Sequence, residues 1–138
     1  MNTTLNYYNQ NAQQFIDDTF SVDMNQKLNH FIQHIQAQGS ILDVGCGSGR
    51  DTKYFLEQGF NVVAFDASEE VARIASEKIH HPVLVKTIEE MDWQNTFDGV
   101  WAVASLLHLK RAAFAQAIEK CFAALKDEGY FFCSLKIG

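Results

Sequence analysis

The chain has no surplus of basic residues. Eleven Lys and Arg stand against seventeen Asp and Glu, giving a formal net charge of -6 over 138 residues. A binder of duplex nucleic acid or of an anionic membrane needs a basic stripe for phosphates, and none is available. Cysteine is scarce: Cys46, Cys121 and Cys133 lie far apart with no CxxC. That excludes a disulfide framework and reads as reduced thiols in the cytoplasm. No apolar run reaches the ~18–20 residues that span a bilayer. The polar N-terminus, MNTTLNYYNQNAQQF, has neither the charged nor the apolar region of a signal peptide. Repeats, low-complexity tracts and linkers are also absent.

What is there suits one domain. Hydrophobic residues make up 47% of the chain, and a chain of this length buries roughly 68% of its unfolded surface. Residues 5–38 lack Pro and Gly, and Phe31, Ile32 and Ile35 recur at helical spacing, so one or two helices are expected there, with Gly39 as the C′ residue. Short apolar strands are expected at 41–44, 61–65, 82–85, 98–104 and 130–137. Helices are expected at 51–58, stopped by Gly59, at 68–79 and at 111–125. The last should bury Phe114, Ile118, Cys121, Phe122 and Leu125 on one face, and 126–129 should turn before the final strand. Residues 87–97 read as a connection with about one helical turn. Continuously apolar strands alternating with helices predict an α/β fold with a doubly wound, mostly parallel five-stranded sheet covered on both faces. Ligands of such sheets bind beyond the carboxyl ends of the strands, where the strand order reverses.

The stretch ILDVGCGSGRD, residues 41–51, places an acid at the end of the first strand and Gly at 45, 47 and 49. Bare backbone above a helix N-terminus permits positive φ and a close approach to a ligand. Ser48 and Asp51 have the spacing of a capping box for that helix. The pattern is neither a P-loop, which needs Gly-Lys-Ser/Thr, nor a full dinucleotide fingerprint, because Arg50 stands at the third position.

Asp43-x-Gly45-x-Gly47-x-Gly49 resembles motif I of class I S-adenosylmethionine-dependent methyltransferases. Asp66 ends the second strand, seventeen positions after Gly49, where a carboxylate accepts hydrogen bonds from ribose hydroxyls. The resemblance covers roughly 41–137, is nearest in look to the small-molecule, tellurite-resistance-type group, and implies a Rossmann-like fold. It makes S-adenosylmethionine the cofactor and a small molecule the acceptor. It places Asp43 near the methionyl ammonium and Gly45, Cys46, Gly47 and Gly49 under the methionine part. Asp66, Ala67 and Ser68 fall at the ribose, and Thr87, Ile88 and Glu89 at the adenine, with Met91 and Trp93 nearby. Ala102 and Val103 fall on the pocket floor, and Tyr8, with Tyr7, closes over the cofactor from the N-terminal helix. The division implied is an N-terminal helical cap at 1–38 and a Rossmann-like core at 39–138. The family's C-terminal hairpin is expected to be absent, because the tail is lost or the chain was cut, which would leave the fifth strand as an edge that a homodimer would cover.

The remaining candidates are weaker. His108, after the fourth strand, is the base candidate if an acceptor must lose a proton. His30 and His34 have i, i+4 spacing without a third ligand, so no metal is expected. His80 and His81 read as a loop. Cys46 reads as a small filler. Two other readings compete with methyl transfer: a catalytically inert module that binds the same cofactor, and a nicotinamide-dependent dehydrogenase, against which Arg50 argues.

Overall fold

A computed structural model describes residues 9–14, 16, 24–103 and 111–134. After helical backbone near residues 9–16, the elements run α1 (Asn25–Ile32), β1 (Ser40–Val44), α2 (Arg50–Glu57), β2 (Asn61–Asp66), α3 (Glu69–Ile79) and β3 (Val83–Val85). A 3-10 turn (Ile88–Glu90), β4 (Phe97–Val103), α4 (Arg111–Ala124) and β5 (Leu125–Ser134) complete the series. The strands pair in parallel in the order β3-β2-β1-β4-β5. The chain therefore winds outward from β1 to β3, then returns to the other side of β1 for β4. That reversal lies at the carboxyl ends of β1 and β4, where a parallel sheet opens a crevice.

The two faces of the sheet bury different side chains because strand residues alternate. Leu42, Val44, Phe65, Val100 and Ala102 pack on one face with Ala117, Cys121 and Ala124 of α4. Ile41, Val62 and Trp101 pack on the other with Leu28 and Phe31 of α1, Ile35 and Phe55. Asp43 shares this second periodicity and pairs with Ala64 on one side and Trp101 on the other. Gly99 lets α1 approach β4: an added Cβ would lie 2.6 Å from Ile35 Cδ1 and 2.8 Å from Phe31 Cζ. Ala12 and Ile16 are buried against Val71 and Ala75 of α3, so N-terminal residues pack over the helix that follows β2.

Several local expectations are corrected. The helix near residue 30 ends at Ile32, and Gln38 (φ 62°), not Gly39, takes the left-handed conformation before β1. Gly39 is instead a close-packed position, since its Cβ would meet Asp98 Oδ2 at 2.9 Å. Residues 126–129 do not simply precede the last strand. Leu125 already pairs with Phe97, the register then shifts, and Tyr130 pairs with Gly99. The C-terminal carbonyls of α4 receive the N–H groups of Asn95 (2.9 Å) and Thr96 (2.8 Å), so the helix is capped by the approach to β4. Phe122 is 57% exposed. The buried stripe of α4 consists of the small side chains Ala117, Cys121 and Ala124, which let the helix lie close to the sheet and turn Phe122 outward against Phe131, 5.3 Å away between ring centroids. Gly59 (φ 91°) stops α2 as expected.

Candidate functional site

The loop between β1 and α2 owes its shape to glycine. Gly45 (φ 63°), Gly47 (φ 55°) and Gly49 (φ 84°) are all left-handed, a region that other L-residues seldom occupy. Gly49 is the N-cap of α2. The expected capping box is not formed, because Ser48 Oγ accepts from Arg50 N at 3.4 Å and Asp51 turns inward. One Asp51 oxygen accepts from the indole Nε1 of Trp101 at 2.8 Å, and the other from Arg50 Nε at 2.7 Å. A buried indole N–H needs an acceptor, and Asp51 supplies it. Behind the loop, α3 packs so closely that a Cβ on Gly49 would meet Ile79 Cγ2 at 3.0 Å.

Asp43 is 2% exposed and accepts from Thr52 Oγ1 at 2.7 Å on Oδ2. Among the described residues no donor reaches its Oδ1. Burial, and then the neighbouring Asp51 carboxylate, push the Asp43 carboxyl up to about 8, against the Thr52 hydrogen bond and Arg50, which lower it. Asp66 ends β2 with both oxygens engaged: Oδ1 accepts from Gly47 N at 3.2 Å and Oδ2 from Ser68 N at 3.1 Å. Burial raises its carboxyl too, and these two N–H donors oppose the rise. Each Asp66 oxygen keeps a second lone pair.

Gly45, Cys46, Gly47 and Gly49 thus lie beside Asp43, with Asp66, Ala67 and Ser68 on the adjoining strand end. Cys46 donates its N–H to Phe65 O at 2.9 Å. Burial first, then Asp43 and Asp66, push its thiol well above the usual range, which suits a filler and not a nucleophile. Ser68 is buried, caps α3 by accepting from Val71 N at 3.2 Å, and its hydroxyl meets Asn9 Oδ1. The Ser68 backbone is engaged too, its N–H by Asp66 and its carbonyl by Ala72 N at 2.9 Å.

Thr87, Ile88 and Glu89 follow β3, and Lys86 N donates to Asp66 O at 3.1 Å, which ties that segment to the β2 end. Glu90 Oε1 accepts from both Thr87 N (2.8 Å) and Thr87 Oγ1 (3.0 Å), so the Thr87 hydroxyl has spent its proton and keeps lone pairs. The Glu89 carbonyl receives the Lys120 ammonium. Met91 and Trp93 differ from expectation. Met91 is buried in the core, and Trp93 leans on Phe65 (5.8 Å) and Phe97 (5.7 Å) under the Lys86 ammonium. Both are packing residues because the chain here must cover the sheet beside β4. Ala102 is fully buried, which leaves its backbone, with half-buried Val103, at the β4 end.

Tyr7, Tyr8 and His108 lie outside the described residues. His30 and His34 are exposed and touch edge to face at 5.1 Å, with His34 stacked on Tyr130 at 4.2 Å. His80 takes the left-handed C-cap of α3, and His81 Nε2 meets Val62 O at 2.9 Å. Sequence reasoning missed Thr52, Trp101 and Asn9 and misjudged Asp51. Their contacts span 9 to 59 positions, and only the unusual burial of an acid on a helix face could have signalled them.

The methyltransferase domain family matches residues 41–129, more than half of the chain. The chain belongs to the class I S-adenosylmethionine-dependent methyltransferases. The ubiquinone biosynthesis O-methyltransferase of Bradyrhizobium sp. is 35% identical over 100 residues, covering 68% of this chain and 38% of that protein. An uncharacterised methyltransferase of Alkaliphilus oremlandii is 30% identical over 93 residues, 67% of this chain and 43% of that one. The crystal structure of the Burkholderia thailandensis 1,6-didemethyltoxoflavin-N1-methyltransferase, with bound 1,6-didemethyltoxoflavin and S-adenosylhomocysteine, superposes with a TM-score of 0.79 at 26% identity. It is matched over 94% of this chain and 60% of that one. The methyltransferase domain thus spans less than half the length of these curated relatives. Among its described residues no helix is long and apolar enough to cross a membrane.

Proposed function

We propose that the chain is the cofactor-binding core of an enzyme that transfers a methyl group from S-adenosylmethionine to a small-molecule acceptor. The observation that carries this reading is the buried Asp43, whose Oδ1 meets no donor among the described residues, under a loop of three left-handed glycines. A buried acceptor without a donor is costly unless a ligand supplies one, and a methionyl ammonium is such a donor, directly or through water. The spare lone pairs of Asp66 suit two ribose hydroxyls. The backbone of Gly45, Cys46, Gly47 and Gly49 would border the methionine part, and that of Ala67, Ser68, Ile88 and Glu89 the ribose and adenine. The Thr87 lone pairs suit an adenine amine, Ala102 and Val103 the floor, and Tyr8 the cover. The bound cofactor supplies an electrophilic methyl on a sulfonium. The chain's own part is to hold an acceptor lone pair in line, at roughly 3–3.5 Å, and to exclude water. His108 is the candidate base for an acceptor that must lose a proton.

The names of the relatives support small acceptors with hydroxyl or ring-nitrogen nucleophiles. The tellurite-resistance-type grouping rests on the sequence pattern alone. We place the protein in the cytoplasm on its cysteine usage, with 1–38 as a cap on a core beginning at 39 and no nucleic acid as substrate on its charge. A second copy paired along β5 is supported by the outer place of that strand and by the exposed Phe122 on α4; light scattering at micromolar concentration reads it. The function is tested by incubating the full-length protein with methyl-labelled S-adenosylmethionine and a panel of small phenols, catechols and heteroaromatic amines. Label transferred to one acceptor class supports the reading. Cofactor binding with no transfer to any of them favours the inert module.

A further inference from the structure

Two acids that the same helix turn brings together have unequal support. Asp51 has two strong donors, the Trp101 indole at 2.8 Å and Arg50 at 2.7 Å. Asp43 has, among the described residues, the Thr52 hydroxyl alone. Both are nearly sealed from water, at 6% and 2% exposure, and two like charges this close and this dry do not both persist without a cation. Among the described residues, the titratable or charged groups facing Asp43 are Asp51 and Arg50 from α2, Asp66 from β2 and Cys46 from the glycine loop. From β4 it meets uncharged Trp101, its cross-strand neighbour. The Arg50 guanidinium among them is engaged by Asp51.

We infer that cofactor binding is proton-linked: the ligand's ammonium displaces a proton from Asp43 to the buffer, and Asp51, locked by the Trp101 indole, raises the pH at which this happens. Resting on the cofactor reading above, it assigns Asp51 and Trp101 as positioning residues. Burial first, and then the field of Asp51, keep Asp43 protonated up to about 8 in the ligand-free protein. An arriving ammonium reverses the balance at Asp43: a cation replaces the proton, the carboxylate forms, and one proton leaves. Affinity therefore falls as pH drops below the free-site midpoint, by up to about tenfold per unit.

The test is calorimetric titration with S-adenosylhomocysteine between pH 6 and 8.5, in buffers of different ionisation enthalpy, beside 5′-methylthioadenosine. The latter shares the adenosine and lacks the ammonium, so any titration of Asp66 appears with both ligands and cancels. The expected result is release of close to one proton per S-adenosylhomocysteine near pH 6.5, falling towards pH 8.5, with less than about 0.2 for methylthioadenosine. Asp51→Asn keeps an oxygen for the indole and removes the like charge, so the midpoint of affinity against pH should move down. Thr52→Val removes the donor that supports the Asp43 carboxylate, so the midpoint should move up. A role confined to shape would weaken binding equally at every pH and leave both midpoints in place. Constant affinity without proton release in the parent protein overturns the inference, as does an unmoved midpoint in a folded Asp51→Asn. If that variant fails to fold, the parent's proton count and Thr52→Val decide. No binding of S-adenosylhomocysteine at any pH would instead overturn the cofactor reading itself.

Discussion

The backbone N–H of Gly47 donates to Oδ1 of Asp66, nineteen positions later in the chain, at 3.2 Å. The tip of the glycine loop is thus tied to the end of the neighbouring strand. Asp66 Oδ2 meanwhile accepts from Ser68 N at 3.1 Å, just before α3 begins. One carboxylate fixes the loop over β1 and the turn after β2, the two walls between which a nucleoside would lie.

Asp66→Ala should therefore do two things. It removes the expected ribose acceptor, at about 1.5–3 kcal/mol for a charge-assisted hydrogen bond, or roughly ten- to 150-fold in Kd. It also strands the N–H of Gly47, so the loop should loosen. The dissociation constant for S-adenosylhomocysteine, measured with the melting temperature, checks this. A variant that melts as a folded protein and binds within twofold of the parent contradicts the assignment.

Gly47→Val should lose cofactor binding and some stability. At φ 55° a β-branched residue carries about 1–2 kcal/mol of backbone strain, which for a chain of this size is a fall of roughly 3–10 °C in Tm. Scanning calorimetry with and without S-adenosylhomocysteine reads both effects. Ligand-induced stabilisation equal to the parent's would mean that this loop does not approach the ligand.

Asp43→Asn should stabilise the empty protein, increasingly so as pH rises. Asp43 titrates near 3.8 unfolded and at about 8 folded. Its contribution is fully present below pH 3.8 and is lost as pH rises through about 8, because the unfolded chain gives up a proton that the native state retains. Asn carries no charge and still offers an acceptor to Thr52. The variant should gain on the parent by roughly 1 kcal/mol or more at pH 8 relative to pH 5, about 3 °C or more in Tm, while cofactor affinity is lost. Equal differences at the two pH values would contradict the burial argument.

Gly99→Ala should destabilise the fold without touching the site directly. The new methyl meets Ile35 Cδ1 and Phe31 Cζ inside 3.0 Å. Overpacking of this kind costs about 1–3 kcal/mol, to be read from urea midpoints at unchanged m-value.

The α/β alternation and the glycine loop were legible because they are local. A β-branched run such as NVVAF and three glycines at alternate positions carry their conformation in a few residues. What stayed hidden is tertiary. Asp51 has the spacing of a helix cap, yet the indole of Trp101, fifty positions on, competes for it and wins because a buried N–H has no water to fall back on. Phe122 matched the apolar helix face by type. The packing distance to the sheet was set instead by Ala117, Cys121 and Ala124, for which periodicity carries no size information. Of the two residues set beside the adenine by the resemblance, Met91 went to the core and Trp93 packs half-buried against it, because the segment before β4 must cover Phe65 and Phe97.

The central claim is that the Asp43–glycine loop–Asp66 unit recognises S-adenosylmethionine and not a dinucleotide. It is tested most directly by isothermal titration of the protein at pH 8 with S-adenosylmethionine, S-adenosylhomocysteine and NAD. Saturable one-to-one binding of the first two, with NAD weaker by at least about a hundredfold, is the predicted result. NAD binding as tightly as S-adenosylhomocysteine, or no heat from either sulfur ligand, would contradict the account.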